Sequence, residues 1–261
     1  MPRAARRIGV IGSGAIGGEL VRRLLEGVVQ GCELVGVLVR RRIDELPRPL
    51  EKTSIEELLA ESPDTVVEAA GHAAVSSYGE SVLRSGTDLV CVSVGALAER
   101  SVRDRLVQAA LESGARLVVP SGAVGALDAL AAAARGGLHH VSVEQRKPPA
   151  ALLGVDEREI RHPRVLFDGS AAEAARRFPT TMNIVAAVAL AGVGFEKTSC
   201  RVIADPALSG AEVVVDARGS FGRFTFSMQS KPSPNPRTSA ITAMSVAAVL
   251  ENLSGPTVVP G

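Results

Sequence analysis

A glycine-spaced turn near the amino terminus is the feature with the most specific chemistry. Gly12, Gly14 and Gly17 form the pattern G-x-G-x-x-G between an apolar segment that predicts a strand and an amphipathic segment that predicts a helix. The first glycine permits a sharp turn, the second lets the backbone approach a pyrophosphate, and the third allows close helix–strand packing. An ordinary glycine-rich turn is the alternative, but the strand, the helix and a second strand are all correctly spaced. We predict a dinucleotide site whose phosphates bind N–H groups at the helix start, formed by Gly12, Ser13, Gly14, Ala15, Ile16 and Gly17.

The residues after the second predicted strand indicate whether NAD or NADP is bound. An acidic residue at this point would hydrogen-bond the ribose 2′-OH of NAD, but here Val39 is followed by Arg40, Arg41 and Arg42. Guanidinium groups suit a 2′-phosphate because they form bidentate, charge-assisted hydrogen bonds. The sequence therefore favours NADP(H), bound by Arg40 and Arg41, with NAD(H) as a second cofactor. A solvated basic strand end is the other interpretation of these arginines.

The segments that must position this turn alternate between strand and helix patterns. Short buried runs predict strands at residues 7–11, 33–39, 65–68, 88–92 and 116–119. Between these strands lie segments with helical spacing, at residues 15–27, 54–60, 73–85 and 98–113. Such alternation implies right-handed crossovers and a doubly wound parallel sheet, so the fold class is α/β with an N-terminal Rossmann domain.

The pattern changes after Pro120. Residues 121–135 predict an Ala-rich helix, and residues 140–146, 199–204, 212–217 and 223–228 alternate as strands of a mixed or antiparallel sheet. The Pro-rich segment 231–237 predicts a loop, after which Thr238 or Ser239 can cap a last helix that ends near residue 252. We predict a dinucleotide-binding domain of residues 1–119, joined by the C-terminal helix at about 238–261. Residues 120–237 form an α+β domain with a mixed open sheet.

Composition excludes several classes of protein. The 29 basic and 28 acidic residues nearly balance, and aromatic residues make up only 3% of the chain, so neither charge nor base stacking predicts a nucleic-acid partner. The longest apolar run, residues 184–195, is too short to span a membrane. Three widely spaced cysteines argue against disulfides and a structural zinc site. We expect a soluble, cytoplasmic protein with a small-molecule substrate and no metal.

Several segments, in order along nearly the whole chain, resemble the L-aspartate dehydrogenase family. They are residues 68–75, 93–97, 120–128, 146–149, 178–183, 204–206 and 235–239. The resemblance implies a catalytic domain whose open sheet is used for dimerisation, and a last helix that returns to the first domain. It also implies reversible oxidative deamination of aspartate to oxaloacetate through iminoaspartate, and it places Ala123 and Asn183 at cofactor-contacting positions. A helix cap is the alternative role for Asn183.

Substrate binding in such chemistry needs cations or amide donors that hold carboxylates. Lys147, flanked by Arg146 and followed by Pro148 and Pro149, is our candidate carboxylate anchor, and a solvated surface lysine is the alternative. Alternating segments of the second half also leave a sheet face that needs cover, which predicts a homodimer.

One position departs from the resemblance. The family has a catalytic His shortly after Ala-Asp-Pro, in an Asn-x-His pair, but here that position falls on Val213, or on Glu212 if the alignment shifts by one. Among the histidines, His72 is the best placed because it follows the carboxyl end of a predicted strand. The candidate catalytic residues are therefore Glu212, His72 and Lys147.

The leading hypothesis is an NAD(P)-dependent amino-acid dehydrogenase of the aspartate dehydrogenase type. One alternative is a reductase of a different imine or ketone on the same scaffold. The other is a non-catalytic dinucleotide-binding homologue that has lost the catalytic His.

Overall fold

A computed structural model of the protein describes residues 4–44, 46–152, 160–179, 181–231 and 239–255. The chain divides into two units, one of residues 1–120 with 243–261 and one of residues 121–242. Each unit is built on its own sheet.

The first unit contains a parallel sheet with the strand order β3-β2-β1-β4-β5-β6. Its strands are β1 (Arg6–Ile11), β2 (Cys32–Leu38), β3 (Glu51–Lys52), β4 (Thr65–Glu68), β5 (Asp88–Cys91) and β6 (Leu117–Val118). The helices between them are α1 (Ala15–Leu25), α2 (Ile55–Ala60), α3 (His72–Arg84) and α4 (Arg100–Ser113). This is the dinucleotide-binding strand order, so the predicted Rossmann fold is confirmed.

The second unit contains a mixed sheet with the strand order β11-β10-β7-β9-β8. Its helices are α5 (Leu127–Arg135), α6 (Ala171–Arg177) and α7 (Asn183–Ala191). Its strands are β7 (Leu138–Lys147), β8 (Arg164–Ser170), β9 (Thr198–Ala204), β10 (Ala211–Gly219) and β11 (Gly222–Ser230). Only β7 and β9 pair in parallel, and the other neighbours are antiparallel. The predicted mixed sheet is therefore confirmed.

The last helix, α8 (Ile241–Ser254), belongs largely to the first unit. Val246 and Leu250 on α8 are fully buried in the same apolar cluster as Ile8 on β1. Arg6 Nη1 also donates to the carbonyl oxygen of Leu253, at 3.1 Å. The core of the first unit thus uses both ends of the described chain.

The predicted helix at residues 121–135 begins later than expected, at Leu127. Gly122 and Ala126 have positive φ values of 62° and 60°, which a continuous right-handed helix does not allow. Gly125 has no room for a side chain, because a Cβ there would lie 2.5 Å from the Phe226 ring. Residues 121–126 therefore form a turn segment packed against the mixed sheet.

Other elements differ from the prediction or were not predicted. The strands β3 and β8 and the helices α6 and α7 had no sequence assignment, and α8 ends at Ser254 rather than near 252. Apart from Lys231, the predicted Pro-rich loop lies outside the described residues, as does Thr238. Within the described ranges, no helix has the length and apolar character of a membrane span, and no group of His, Cys, Asp and Glu could hold a metal ion.

Candidate active site

The glycine turn connects β1 to α1 with almost no free space behind it. Gly12 has a φ of +95°, and an added Cβ would lie 2.7 Å from the Cβ of Ala70. A Cβ on Gly17 would lie 2.1 Å from the carbonyl oxygen of Gly12, so α1 packs directly on the turn. Positive φ and close packing explain why glycine is required at position 12, and close packing alone explains it at position 17.

Gly14 lies on the open side of the same turn. Its φ of −70° is one that any residue can adopt, and a Cβ added there would meet no atom within 4 Å. Helix α1 begins at Ala15 with no side-chain cap from Gly14, and the first N–H groups of a helix have no intrahelical acceptor. The turn therefore offers backbone donors, at a helix start, to an anion that can approach closely.

A cavity of about 1050 Å³ opens above this turn, and its size and lining fit a dinucleotide. It is lined by Ile11, Gly12, Ser13, Gly14, Leu38, Val39, Arg40, Arg41, Thr53, Ala69, Ala70, Ala73, Ala74, Ser77 and Tyr78. These residues lie at or just after the carboxyl ends of β1, β2, β3 and β4 and in the first turns of α3, and parallel sheets bind ligands at this carboxyl edge. The arrangement brings the glycine turn together with the two predicted arginines.

Arg40 and Arg41 are exposed at the rim of this cavity, just after β2. Neither has an ion pair with any residue in the described ranges, whereas Arg42 pairs with Asp44 at 3.5 Å. Two guanidinium groups that line a cavity without carboxylate partners favour a phosphorylated ribose.

Glu68, at the end of β4, is a buried carboxylate that the sequence did not single out as a site residue. Its Oε1 accepts from the N–H groups of Ala70 and Gly71 at 2.7 and 2.8 Å and from Ser93 Oγ at 3.0 Å. Its Oε2 accepts from the N–H group of Ser93 at 3.1 Å. Burial raises the pKa of Glu68 above its ordinary value, while these four hydrogen bonds act to lower it. Glu68 thus fixes the loop that carries Ala70, the residue packed against Gly12.

His72 is the first residue of α3 and follows Gly71, which has a φ of +116°. Its neighbours Ala73 and Ala74 line the cavity. His72 is therefore on the cofactor-binding edge of the first unit, as its sequence position implied. A role in proton transfer stays a prediction.

Lys147, at the end of β7 in the second unit, is buried, with 6% of its surface exposed. Its Nζ donates to the carbonyl oxygen of Thr181 at 2.9 Å, two residues before α7 begins. Removal from water lowers the pKa of Lys147 to about 8. Among the described carboxylates, none lies within ion-pair distance of its Nζ. Lys147 is therefore not the solvated surface lysine considered above, and it is a buried cation with no anionic partner among the described residues.

Two of the sequence segments that carry the family resemblance meet at this lysine. The N–H group of Asp205, which follows β9, donates to the carbonyl oxygen of Lys147 at 2.8 Å. The Asp205 carboxylate lies 3.7 Å from Nη1 of Arg146 and accepts from the N–H group of Ala207 at 3.0 Å. The Arg-Lys-Pro-Pro and Ala-Asp-Pro segments thus hold each other in place.

The alternation of β10 separates the two positions considered for the missing His. Val213 is directly opposite Gln145 on β7, on the sheet face that also carries Lys147. Glu212 is opposite Arg146 on the other face, where its Oε1 accepts from Gln229 Nε2 at 2.9 Å. The structure does not bring Glu212 together with Lys147, so its catalytic role stays a prediction without support from this geometry.

Gln145 itself is a second polar residue that sequence reasoning missed. It is fully buried, and neither its Oε1 nor its Nε2 has a hydrogen-bond partner within the described part of the chain. Burying an unpaired amide costs about 1–3 kcal/mol. The pattern of β7 could have identified it, because Gln145 occupies an inward position between Val143 and Lys147.

Ala123 and Asn183 belong to the second unit. Ala123 is buried in the turn before α5, and Asn183 is the first residue of α7, two positions after Thr181. The N-cap of α7 is Met182, so the geometry does not assign Asn183 the capping role. Contact of Ala123 and Asn183 with a cofactor stays a prediction.

Comparisons with known proteins agree with both halves of this architecture. Residues 12–120 match the family model for the NAD binding domain of homoserine dehydrogenase, and residues 128–253 match the model for the C-terminal domain of aspartate dehydrogenase. L-aspartate dehydrogenase 2 of Bordetella bronchiseptica is 39% identical over 255 residues, covering 94% of this chain and 95% of that protein. L-aspartate dehydrogenase of Pseudomonas aeruginosa is 40% identical over 256 residues, covering 93% and 96%.

The solved structures give the same result. Aspartate dehydrogenase from Thermotoga maritima is 27% identical and superposes with a TM-score of 0.77, covering 98% of this chain and 99% of that one. The predicted use of a nicotinamide dinucleotide, NAD(P), is confirmed by these relatives and by the NAD-binding family model. On the strength of these matches, the chain belongs to the L-aspartate dehydrogenase family.

Proposed function

We propose that this protein is an NAD(P)-dependent L-aspartate dehydrogenase. It interconverts L-aspartate with iminoaspartate, which hydrolyses to oxaloacetate and ammonia, and the same site can run the reductive amination. The observation that carries the proposal is Lys147, a buried cation with no described carboxylate at ion-pair distance. A buried charge that lacks a partner is costly, and a substrate carboxylate supplies that partner.

Different residues of the chain bind the cofactor and the substrate. Backbone N–H groups of the Gly12–Gly17 turn hold the pyrophosphate, and Arg40 and Arg41 hold a 2′-phosphate. When bound, the nicotinamide accepts or supplies the hydride. Lys147 holds a substrate carboxylate by a charge-assisted hydrogen bond, while its bond to Thr181 fixes the direction of its Nζ. Correct placement of the amino acid is a large part of catalysis in such a reaction.

The pKa of Lys147 gives this binding a pH dependence. With a pKa of about 8, free enzyme carries the ammonium below that pH and loses it above. Binding of a carboxylate favours the charged form, so the KM for the acid substrate is lowest below about pH 8 and rises above it.

The test is NADPH oxidation in the presence of ammonia and a panel of oxo acids, with oxaloacetate, pyruvate and 2-oxoglutarate as the first members. We expect oxaloacetate to give the largest kcat/KM. Preference for a monocarboxylic oxo acid would replace aspartate by another amino acid on the same scaffold. NADPH binding without turnover of any member would indicate a non-catalytic homologue.

The preference for NADP(H), the homodimer and the cytoplasmic location are further parts of the proposal. The arginines without ion pairs support NADP(H), and the described cysteines are free thiols, which suits a reducing compartment. The edge strand β11 alternates between exposed and half-buried residues, and Phe221 beside it is 44% exposed, so this part of the sheet is available for a second copy. Sedimentation at micromolar concentration that shows only monomer would remove the dimer.

A further inference from the structure

Gln145 combines complete burial with complete lack of hydrogen bonding. Its amide carries two donors and an acceptor, and no described residue pairs with either polar atom. Buried polar groups in folded proteins nearly always have partners, so an exception needs an explanation. Leucine or methionine would fill a similar volume with no unpaired group.

The residues directly opposite Gln145 do not supply a partner. Its register neighbours are Val213 on β10 and Val202 on β9, and both are buried and apolar. Directly opposite residues in such a ladder have Cβ atoms about 4.5–5.5 Å apart, so Val213 occupies the nearest lateral position. The nearest polar residue along this face of β7 is Lys147, two positions further along the strand.

Gln145 and Lys147 together present an amide and a cation on one face of one strand. An amide can donate to a carboxylate or an oxo group and can accept from an ammonium group. An amino acid and its oxo acid offer these groups next to each other. Lys147 alone would fix one carboxylate but would not orient the rest of the molecule.

We propose that Gln145 is a substrate-recognition residue, whose side-chain amide hydrogen-bonds the amino or oxo acid that Lys147 anchors. This inference rests on the proposed function. The His that the family resemblance implies falls on Val213, or on Glu212 if the alignment shifts by one, and the Gln145 amide lies opposite Val213. The amide provides recognition and orientation, and it takes no part in proton transfer.

A structural role and a recognition role predict opposite results for an apolar replacement. We therefore compare Gln145→Leu and Gln145→Met with wild type and with the control Gln108→Leu. Gln108 is a surface residue of α4 whose Nε2 donates to Glu112 at 2.7 Å. The measurements are the thermal midpoint without ligands, the Kd of NADPH, the KM and kcat for oxaloacetate, and the Kd of malonate with NADP⁺ present.

We expect Gln145→Leu and Gln145→Met to melt no lower than wild type and to bind NADPH unchanged. The KM for oxaloacetate and the Kd for malonate should rise at least 10-fold, with a smaller change in kcat. A lower thermal midpoint together with a malonate Kd within 2-fold of wild type would overturn the inference. If Gln145→Leu does not fold, Gln145→Met, which has the length of glutamine, decides the same question.

The wild-type protein separates this inference from the proposed function. If wild type turns over oxaloacetate and both variants match it, the recognition role fails and the dehydrogenase stands. If wild type neither turns over nor binds any carboxylic acid of the panel, the function and the recognition role both fail. If wild type binds malonate without turnover, the variants still test recognition through the Kd.

Discussion

Glu68 and Gln145 are both fully buried polar side chains, and they differ in how they are paired. Glu68, at the end of a parallel strand in the first unit, accepts four hydrogen bonds from Ala70, Gly71 and Ser93. Gln145, on the inner face of the mixed sheet in the second unit, has none in the described ranges. Lys147 beside it has one, to a backbone carbonyl oxygen.

The difference distinguishes two kinds of site. Around Glu68 the protein pairs its own polar groups, so hydrogen bonds within the chain hold the loops that carry Ala70 and Ser93. Around Gln145 and Lys147 the described residues leave the Gln145 amide without a hydrogen bond and Lys147 without an ion pair, and our proposal is that a bound substrate supplies these partners. The predictions below test this contrast, beginning with the largest expected effect.

Replacing Lys147 with Met should lower kcat/KM for oxaloacetate about 10³-fold, because loss of a buried charge pair costs about 2–5 kcal/mol. The same change should raise the thermal midpoint, since it removes an uncompensated buried cation. Steady-state kinetics and thermal unfolding measure both. The exposed Lys197→Met is the control, and an unchanged KM in Lys147→Met would contradict the anchor role.

Stability of the wild-type protein should also depend on the pH through Lys147. Because its folded pKa of about 8 lies below the ordinary 10.5, the folded protein releases a proton between these values while the unfolded chain keeps it. The free energy of unfolding of the wild-type protein should therefore include a contribution from Lys147 that increases as the pH rises from 8 to 10.5. The Lys147→Met protein should lack this contribution. Denaturant titrations across this range, compared between the two proteins, make the measurement.

Glu68→Gln should lower the free energy of unfolding by about 2–3 kcal/mol, because the amide NH₂ group would face N–H donors. NADPH binding should weaken as well, since the loop that packs on Gly12 loses its fixed position. Denaturant unfolding and NADPH titration measure these effects. Glu56→Gln on the exposed face of α2 should change neither, and a Glu68→Gln protein as stable as wild type would remove the contrast with Gln145.

Gly14→Val should weaken NADPH about 30-fold, or about 2 kcal/mol, without changing the stability of the ligand-free protein. Its side chain would enter space that is open in the protein but adjacent to the pyrophosphate. Gly136→Val, at the end of α5, is the matched control because the nearest atoms to an added Cβ there are 3.8 Å away. Equal NADPH affinities of the two variants would show that the phosphates do not bind at Gly14.

The double variant Arg40→Ala, Arg41→Ala should weaken NADPH about 10-fold and leave NADH unchanged, because only NADPH carries the 2′-phosphate. Arg42→Ala, which removes a residue already paired with Asp44, should have no such selectivity. Titrations of the two cofactors against the three proteins give the result. An equal loss of affinity for NADPH and for NADH would show that the arginines do not contact the 2′-phosphate.

Val213→His should raise aspartate turnover several-fold, less than the roughly 10²–10⁴-fold that a well-positioned acid or base supplies. The new imidazole would share the sheet face with Lys147 and could hydrogen-bond the Gln145 amide. Val214→His, one residue along β10 and on the opposite face, is the control. Equal turnover in the two His variants would show that this face does not hold the substrate.

Local patterns predicted most of the cofactor half of the molecule, although β3 and the role of Glu68 were missed. The strand at residues 65–68 and the glycine turn were both predicted correctly, since buried parallel strands are short apolar runs and the turn needs glycine in fixed positions. The contacts of Arg40 and Arg41 with the cavity follow from their place at the end of a strand.

The features that sequence patterns missed include some that depend on contacts between residues far apart in the chain. Glu68 depends on Ser93, which is 25 residues away, and the isolation of Gln145 depends on Val213 and Val202 in two other strands. Helix α6 was missed although Ser170 and Glu173 form a capping box. Strand β8 was missed because its burial does not alternate regularly and its pairing contains a bulge.

The participation of α8 in the first unit has a consequence for synthesis on the ribosome. Arg6 and Leu253 are hydrogen-bonded although 247 positions separate them, and Leu250 completes the apolar cluster around Ile8. The second unit is continuous in sequence and lies between these ends, so it can fold while the chain is still emerging. The nascent Rossmann unit therefore lacks part of its apolar core until α8 has been synthesised.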